Sequence, residues 1–162
     1  MNLYAQGIDP EIDLRSGTEI NLHAPALIPD DYLPDVHMRL MIYKRIANAT
    51  THDQLRELSV ELIDRFGLLP EPTKLLIRQT ELKITAERLG IRRIDLGENG
   101  GHIEFKSDTR VPATKIIALI QTSPHRFKMA SAHQLGILDR ITDRTERFGY
   151  VEAFLGELAE AA

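Results

Sequence analysis

Six histidines, at positions 23, 37, 52, 102, 125 and 133, are the first residues to question for metal or acid–base chemistry. No two stand at the i, i+4 spacing that would place a metal-binding pair on one helical face, and there is no HExxH, so each reads as a surface or capping residue. The chain has no cysteine, which excludes thiolate zinc sites, a cysteine nucleophile and disulfides, and fits a reducing compartment, with the cytoplasm as the default. The glycine-rich GENGGH lacks the lysine and the following helix of a phosphate-cradling loop, so it is a hairpin turn and not a nucleotide site. Carboxylates are plentiful, and Asp30 with Asp31, or Glu61 with Asp64, could supply an acid and a base. Nothing in their pattern marks a buried pair whose pKa values are driven apart. The side-chain inventory therefore calls for no catalytic residue, no cofactor and no metal. What remains is recognition: Asp53, Glu57, Glu61 and Asp64 recur so that, at about 100° per residue, they share one helical face. A charged outer face is ordinarily just solvated. Like charges this crowded are otherwise relieved by a basic partner, which makes these four the candidate interface residues.

The element that must present them runs from Thr51 to Pro72, THDQLRELSVELIDRFGLLPEP. Thr51 with Gln54 three residues on has the form of a capping box, and Gly67, Pro70 and Pro72 forbid continuation. Leu55, Leu58, Leu62 and Phe66 form an apolar stripe roughly opposite the acids. A helix from Val36 to Ala49, capped by Pro34 and Asp35, precedes it, with stripes at Val36, Leu40, Tyr43 and Ala47 and at Met38, Ile42 and Ile46, the pattern of a helix sandwiched on two sides. The short turn at Asn48 to Thr51 folds the two into an antiparallel hairpin. A third helix runs from Pro72 to Leu89 and ends at Gly90; Leu75, Leu82, Ala86 and Leu89 share one face while Ile77 and Ile84 lie opposite.

The period then changes to two. Ile94 and Leu96, then Ile103 and Phe105, alternate around an Asn99-Gly100 turn, the strongest short hairpin signal. Phe127 and Met129, then Leu135 and Ile137, make a second hairpin turning at Ala130 to His133. Between them Pro112 to Thr122 reads as a helix that buries Ile116, Ile117 and Ile120. A last helix, Asp139 to Ala159, tracks Leu138, Ile141, Phe148, Val151, Leu155 and Leu158 on one face. Ahead of all this, residues 1–17 read as a linker or loosely held arm, Thr18 to Leu22 as a short strand with Ile20 and Leu22 inward, and PALIPDDYLPD, with three prolines in ten residues, as an extended run over the surface. The expected class is α+β: an N-terminal helical hairpin and third helix, a β-β-α-β-β unit and a C-terminal helix, all one domain over residues 18–162.

A chain of 162 residues that is 43% hydrophobic can close one real core. Its formal net charge of −4 provides no overall footprint for a phosphate backbone. No apolar run approaches the roughly 18 residues of a membrane span, and the N-terminus has no positive region followed by an apolar core, so a soluble protein is expected. An accessory nucleic-acid-binding domain is the alternative to a protein-interaction domain. It is disfavoured because Phe105 and Phe127 alternate inward and leave no exposed stacking platform.

The wording of PALIPDDYLPDVHMRL, YKRIANA, ELIDRFGLLPEPTKLL, LGIRRID and HIEF, spread over Thr18 to Leu158, resembles the C-terminal domain of the bacterial transcription-repair coupling factor family. That resemblance implies a parent ATP-dependent DNA translocase that removes stalled RNA polymerase and recruits excision repair. Helicase motifs, a polymerase-binding module and a UvrB-like module are missing here, so the chain looks like the noncatalytic last domain. In the family such a domain is similar to a clamp. It packs on the UvrB-homology module of its own polypeptide, masks the surface that binds UvrA, and restrains ATPase activity and DNA binding. Within VELIDRFG, the resemblance points to Glu61 and Asp64 as contacts for basic residues of that module; helical geometry alone adds Glu57 and Asp53.

Overall fold

The structure, a computed structural model, describes residues 17–162, so the arm expected over 1–17 lies outside the described residues but for Gly17. Local capping sets the helices of the first half. Asp35 Oδ1 accepts from Met38 N at 3.0 Å and opens α1, Val36–Ala47. Thr51 Oγ1 accepts from Gln54 N at 3.1 Å and opens α2, His52–Phe66, while Gln54 Oε1 reaches back to Thr50 N at 2.7 Å. After Pro70, α3, Glu71–Leu89, carries Pro72 in its first turn and stops at Gly90, whose φ of 77° is left-handed. A Cβ there would lie 2.6 Å from Thr109 Cα, so that position excludes a side chain on two grounds.

The second half is a five-stranded mixed sheet with the order β1-β2-β3-β5-β4. Its strands are β1 Glu19–Asn21, β2 Ile91–Gly97, β3 Gly100–Phe105, β4 Phe127–Ser131 and β5 Gln134–Ile137, with α4, Ala113–Thr122, between β3 and β4 and α5, Arg144–Ala161, at the end. All neighbours are antiparallel except β1, which pairs parallel with β2, Ile20 opposite Ile94. Ile94, Ile103 and Leu135 stand opposite one another across three strands and put the apolar face against α3 and α5. Two hydrophobic clusters result. One joins the sheet to Phe148, Val151, Phe154 and Leu155 of α5; the other joins Ile42 and Ile46 of α1 to Leu55, Leu58 and Leu62 of α2. α3 serves both, giving Leu75, Leu82, Ala86 and Leu89 to the first and Ile77 and Ile84 to the second, the two-faced division its sequence predicts. At about 1.5–3 kcal/mol for each fully buried aliphatic side chain, this shared helix ties the halves together.

Several expectations give way to tertiary contacts. Val36 and Leu40 are 58% and 60% exposed, so α1 is buried on one side only and is not sandwiched. The proline-rich stretch does not simply run over the surface: Ile28 and Leu33 are buried, and Leu27 hydrogen-bonds through both its backbone groups to Pro72 and Thr73. The first hairpin turns at Glu98 and Asn99, one residue earlier than the Asn-Gly signal; Gly100 instead enters β3 at φ 109°, where a Cβ would run into the Ile137 carbonyl. α4 fully buries none of its residues, and Ile117 is 49% exposed. α5 begins at Arg144 rather than Asp139, because Asp143 Oδ1 caps Glu146 N at 3.1 Å while Asp139 and Arg140, ahead of the helix, are tied to Arg126 and Glu98. Leu138 accordingly lies outside the helix and is exposed.

Candidate interaction surface

The buried stripe of α2 fixes what its other side shows. Leu55, Leu58 and Leu62 point into the helical cluster at 0%, 3% and 1% exposure, and the opposite face turns to solvent. Asp53, Glu57 and Asp64 are exposed there, and Glu61, on the flank of the arc, is half-buried. The four carboxylates do not act as one group. Glu61 faces α1 and accepts a bidentate pair from Arg45, Nη1 at 2.8 Å and Nη2 at 3.0 Å, with Arg65 Nη1 at 3.4 Å from the same carboxylate. The Arg45 guanidinium hydrogen-bonded to it, aided by the Arg65 charge, holds the Glu61 carboxyl below the usual carboxylate range. Asp53 is paired one turn along with Arg56 at 2.6 Å. Glu57 and Asp64 have no cationic partner among the described residues. The mutual repulsion expected of all four is thus already relieved for Glu61 and Asp53 within the chain.

Apolar residues absent from the sequence reading share this face. Val60 is 55% exposed, one turn from both Glu57 and Asp64; Ile63 is 41% exposed on the flank and Leu68, past the Gly67 exit, 85%. Val60 was findable, since 100° per residue places it beside Asp53 and Asp64; only the three-dimensional fold shows that nothing described covers it. Arg65 bounds the patch, its guanidinium carbon 5.1 Å from the Phe66 ring centroid and Nη2 3.4 Å from Met38 Sδ. Phe66 itself is half-buried, edge-on to Tyr32 at 6.0 Å, so it closes the end of the hairpin instead of anchoring the middle of the core. The arrangement can bind a surface that presents cations around an apolar centre: two unpaired carboxylates on a rigid helix, a desolvatable middle, and internal ion pairs at the margin.

Chemical groups elsewhere do not converge. Among the described residues no three His, Asp or Glu side chains could together hold a metal ion, and no helix is long and apolar enough to cross a membrane. His23 Nε2 lies 2.8 Å from Asp95 Oδ1 and His52 Nε2 3.5 Å from Thr85 Oγ1, contacts that tie loops and helices. One buried polar residue stands out. Arg147 of α5, 5% exposed, donates Nε to Ile141 O at 2.9 Å, Nη1 to Leu22 O at 2.9 Å and His23 O at 3.4 Å, and Nη2 to Thr142 O at 3.1 Å. It thereby pins the turn after β1, where His23 takes the left-handed φ of 56°, to the approach of α5.

Comparison with known proteins finds relatives over most of the chain. The profile of the TRCF domain matches residues 22–116, more than half of the chain. The transcription-repair-coupling factor of Escherichia coli (strain K12) is 42% identical over 158 residues, which cover 96% of this chain and 14% of that protein. That of Haemophilus influenzae is 42% identical over 156 residues, covering 95% of this chain and 14% of its own length. The chain therefore spans about a seventh of the relatives it matches. A crystal structure of the C-terminal domain of a transcription-repair coupling factor superposes with a TM-score of 0.75 over 91% of this chain and 96% of that one, at 24% identity, a likeness of fold.

Proposed function

Since the chain belongs to the TRCF domain family, we propose that it is a noncatalytic, regulatory protein-interaction domain of a transcription-repair coupling factor, acting in transcription-coupled DNA repair. In this reading residues 18–162 work as one unit in the cytoplasm. The outward face of α2 docks on the UvrB-homology module of the same polypeptide, masks the UvrA-binding surface, and restrains the ATPase and DNA translocation of the parent protein until released, with RNA polymerase reached only through the parent. The observation that carries it is the pair Glu57 and Asp64, exposed and without cationic partners among the described residues, around the exposed Val60. An isolated domain gains nothing from such an arrangement, whereas a basic, partly apolar partner would desolvate it and make each carboxylate worth about 2–5 kcal/mol against truncation. Glu61 enters differently from Asp64. Paired to Arg45 and Arg65, it orients those cations, and the contact it offers is the far edge of an ion-pair network.

The test uses the longer parent polypeptide. Glu57→Arg with Asp64→Arg should raise UvrA binding and basal ATPase activity while leaving the melting temperature of the 162-residue chain unchanged. Unaltered UvrA binding and ATPase in the doubly reversed parent would show the face to be merely solvated.

A further inference from the structure

A second surface, on the other cluster of the molecule, is apolar and of opposite charge. α4 reads ATKIIALIQT, one of the most apolar segments of the chain, and yet none of its residues is fully buried. Between its first turn, the loop that leads into it and the β4–β5 hairpin lies a groove of about 410 Å³ with Val111, Ile116, Met129 and Leu135 along it and Lys106 and His133 at its sides. Val111 and Leu135 are its buried floor at 3% and 0% exposure, Met129 is 47% exposed on its wall, and Ile117, on α4 outside the groove lining, is 49% exposed. Residues 106–133 carry five Lys and Arg against one acid, Asp108, in a chain whose total is −4. Lys115 and Arg126 are engaged with Glu157 and Asp139, but Lys106, Arg110 and Lys128 have no carboxylate partner among the described residues. We infer that this groove is a docking site for an acidic amphipathic helix of a partner protein, its apolar face lying along α4 and its carboxylates reaching Lys106 and Arg110.

The occupant follows from three features. Charge complementarity calls for an acidic segment, since a local excess of unpaired cations attracts acidic partners and repels basic ones. An added strand is disfavoured, although β4 is a sheet edge: its register breaks between Met129 and Ser131, and the exposed Lys128 sits on it, two devices that blunt edge pairing. The groove meets α4 at its first turn, Ala113 and Ile116, and the ten-residue helix, about 15 Å long, continues beyond it as a rail along which two to three turns of a helical partner can lie. The site does not depend on the α2 face and differs from it in sign.

Fluorescence anisotropy on the 162-residue chain tests this with three labelled probes: a helical peptide of about five turns with a Leu/Ile face flanked by Glu, the same peptide flanked by Lys, and a short duplex DNA. The Glu peptide should bind, weaken as salt rises, and lose about tenfold in affinity, near 1.4 kcal/mol, on Ile117→Asp. Lys106→Glu with Arg110→Glu should weaken it several-fold and reverse the preference between the two peptides. Circular dichroism confirms that each variant is folded, and chemical-shift changes at the Met129 and Ile116 methyls locate the contact. Equal binding of Glu and Lys peptides, preference for DNA, or unchanged affinity in both variants overturns the proposal. Concentration-dependent dimerisation abolished by Ile117→Asp, or binding that emerges only after removal of residues 1–16, assigns the groove to the chain itself and overturns it equally.

Discussion

Arg147→Met is the perturbation that most sharply separates a structural cation from a tolerated one. The guanidinium is 5% exposed and no carboxylate partners it among the described residues; its charge is met by four carbonyls, of Leu22, His23, Ile141 and Thr142, at 2.9 to 3.4 Å. Methionine keeps most of the aliphatic stem, so the change isolates the donors. A hydrogen bond to a charged group contributes about 1.5–3 kcal/mol, and a buried acceptor left unmet costs about 1–3 kcal/mol. The two 2.9 Å bonds, to Leu22 and Ile141, should dominate, while the weaker pair partly rehydrates. The expected loss is therefore about 3–5 kcal/mol. At about 2–4 °C per kcal/mol for a chain of this size, the melting temperature should fall by about 6–20 °C. Arg147→Lys should lie between, because three donors on one nitrogen cannot reach carbonyls on two separate segments as a planar fork does. Urea denaturation followed by far-ultraviolet circular dichroism reads the free energy, with an unchanged m-value confirming that both states are comparable. Since burying a cation carries its own desolvation cost, a loss below about 1 kcal/mol, or a gain, would refute the reasoning and show that water or relaxation serves those carbonyls as well.

Phe66→Ala should cost about 1–2 kcal/mol in the same assay, under the ~3–5 kcal/mol of a fully buried phenylalanine, because its ring is only partly buried, at the end of the hairpin beside Tyr32 and Arg65; a loss above about 3 kcal/mol would place it in the core after all. Burial, followed by the hydrogen bond to Asp139, pushes the Tyr150 phenol up from 10.0 to about 12. Between those values the unfolded chain ionises first, so stability should be complete below pH 10 and fall by about 2–3 kcal/mol as pH rises through 12. Tyr150→Phe should lack that increment of slope, and identical alkaline profiles would count against it. Asp64→Ala in the 162-residue chain should leave the melting temperature unchanged, whereas Glu61→Ala should lower it. Because the folded Glu61 carboxyl titrates below its unfolded range, the difference between native and Glu61→Ala proteins should be present at neutral pH and vanish as pH falls through the acid range. A pH-independent gap, or an equal effect of both substitutions, would mean that the Arg45 pair contributes nothing.

What the chain announced by itself is what neighbouring residues decide among themselves. Asp35, Thr51 and Gly90 bound their helices where the capping rules put them, since a cap is a contact over three or four residues. The leucine stripe of α2 and the two faces of α3 were legible for the same reason: a period of 3.6 is local, and apolar residues on it must be covered. The family wording likewise survives as a string. The sequence did not say which apolar stripe wins a partner. α1 and α4 both carry convincing stripes, yet Leu40 and Ile117 face solvent, because the area available on α2, α3 and the sheet is already taken by other residues. Nor could it say that Glu61 is spoken for and Asp64 is not. That distinction depends on Arg45, sixteen residues away on another helix. The parallel pairing of Ile20 with Ile94 and the grip of Arg147 on Leu22, 125 residues upstream, are decided only when the chain closes. Such contacts follow from competition for a limited buried surface, and that competition exists only in three dimensions.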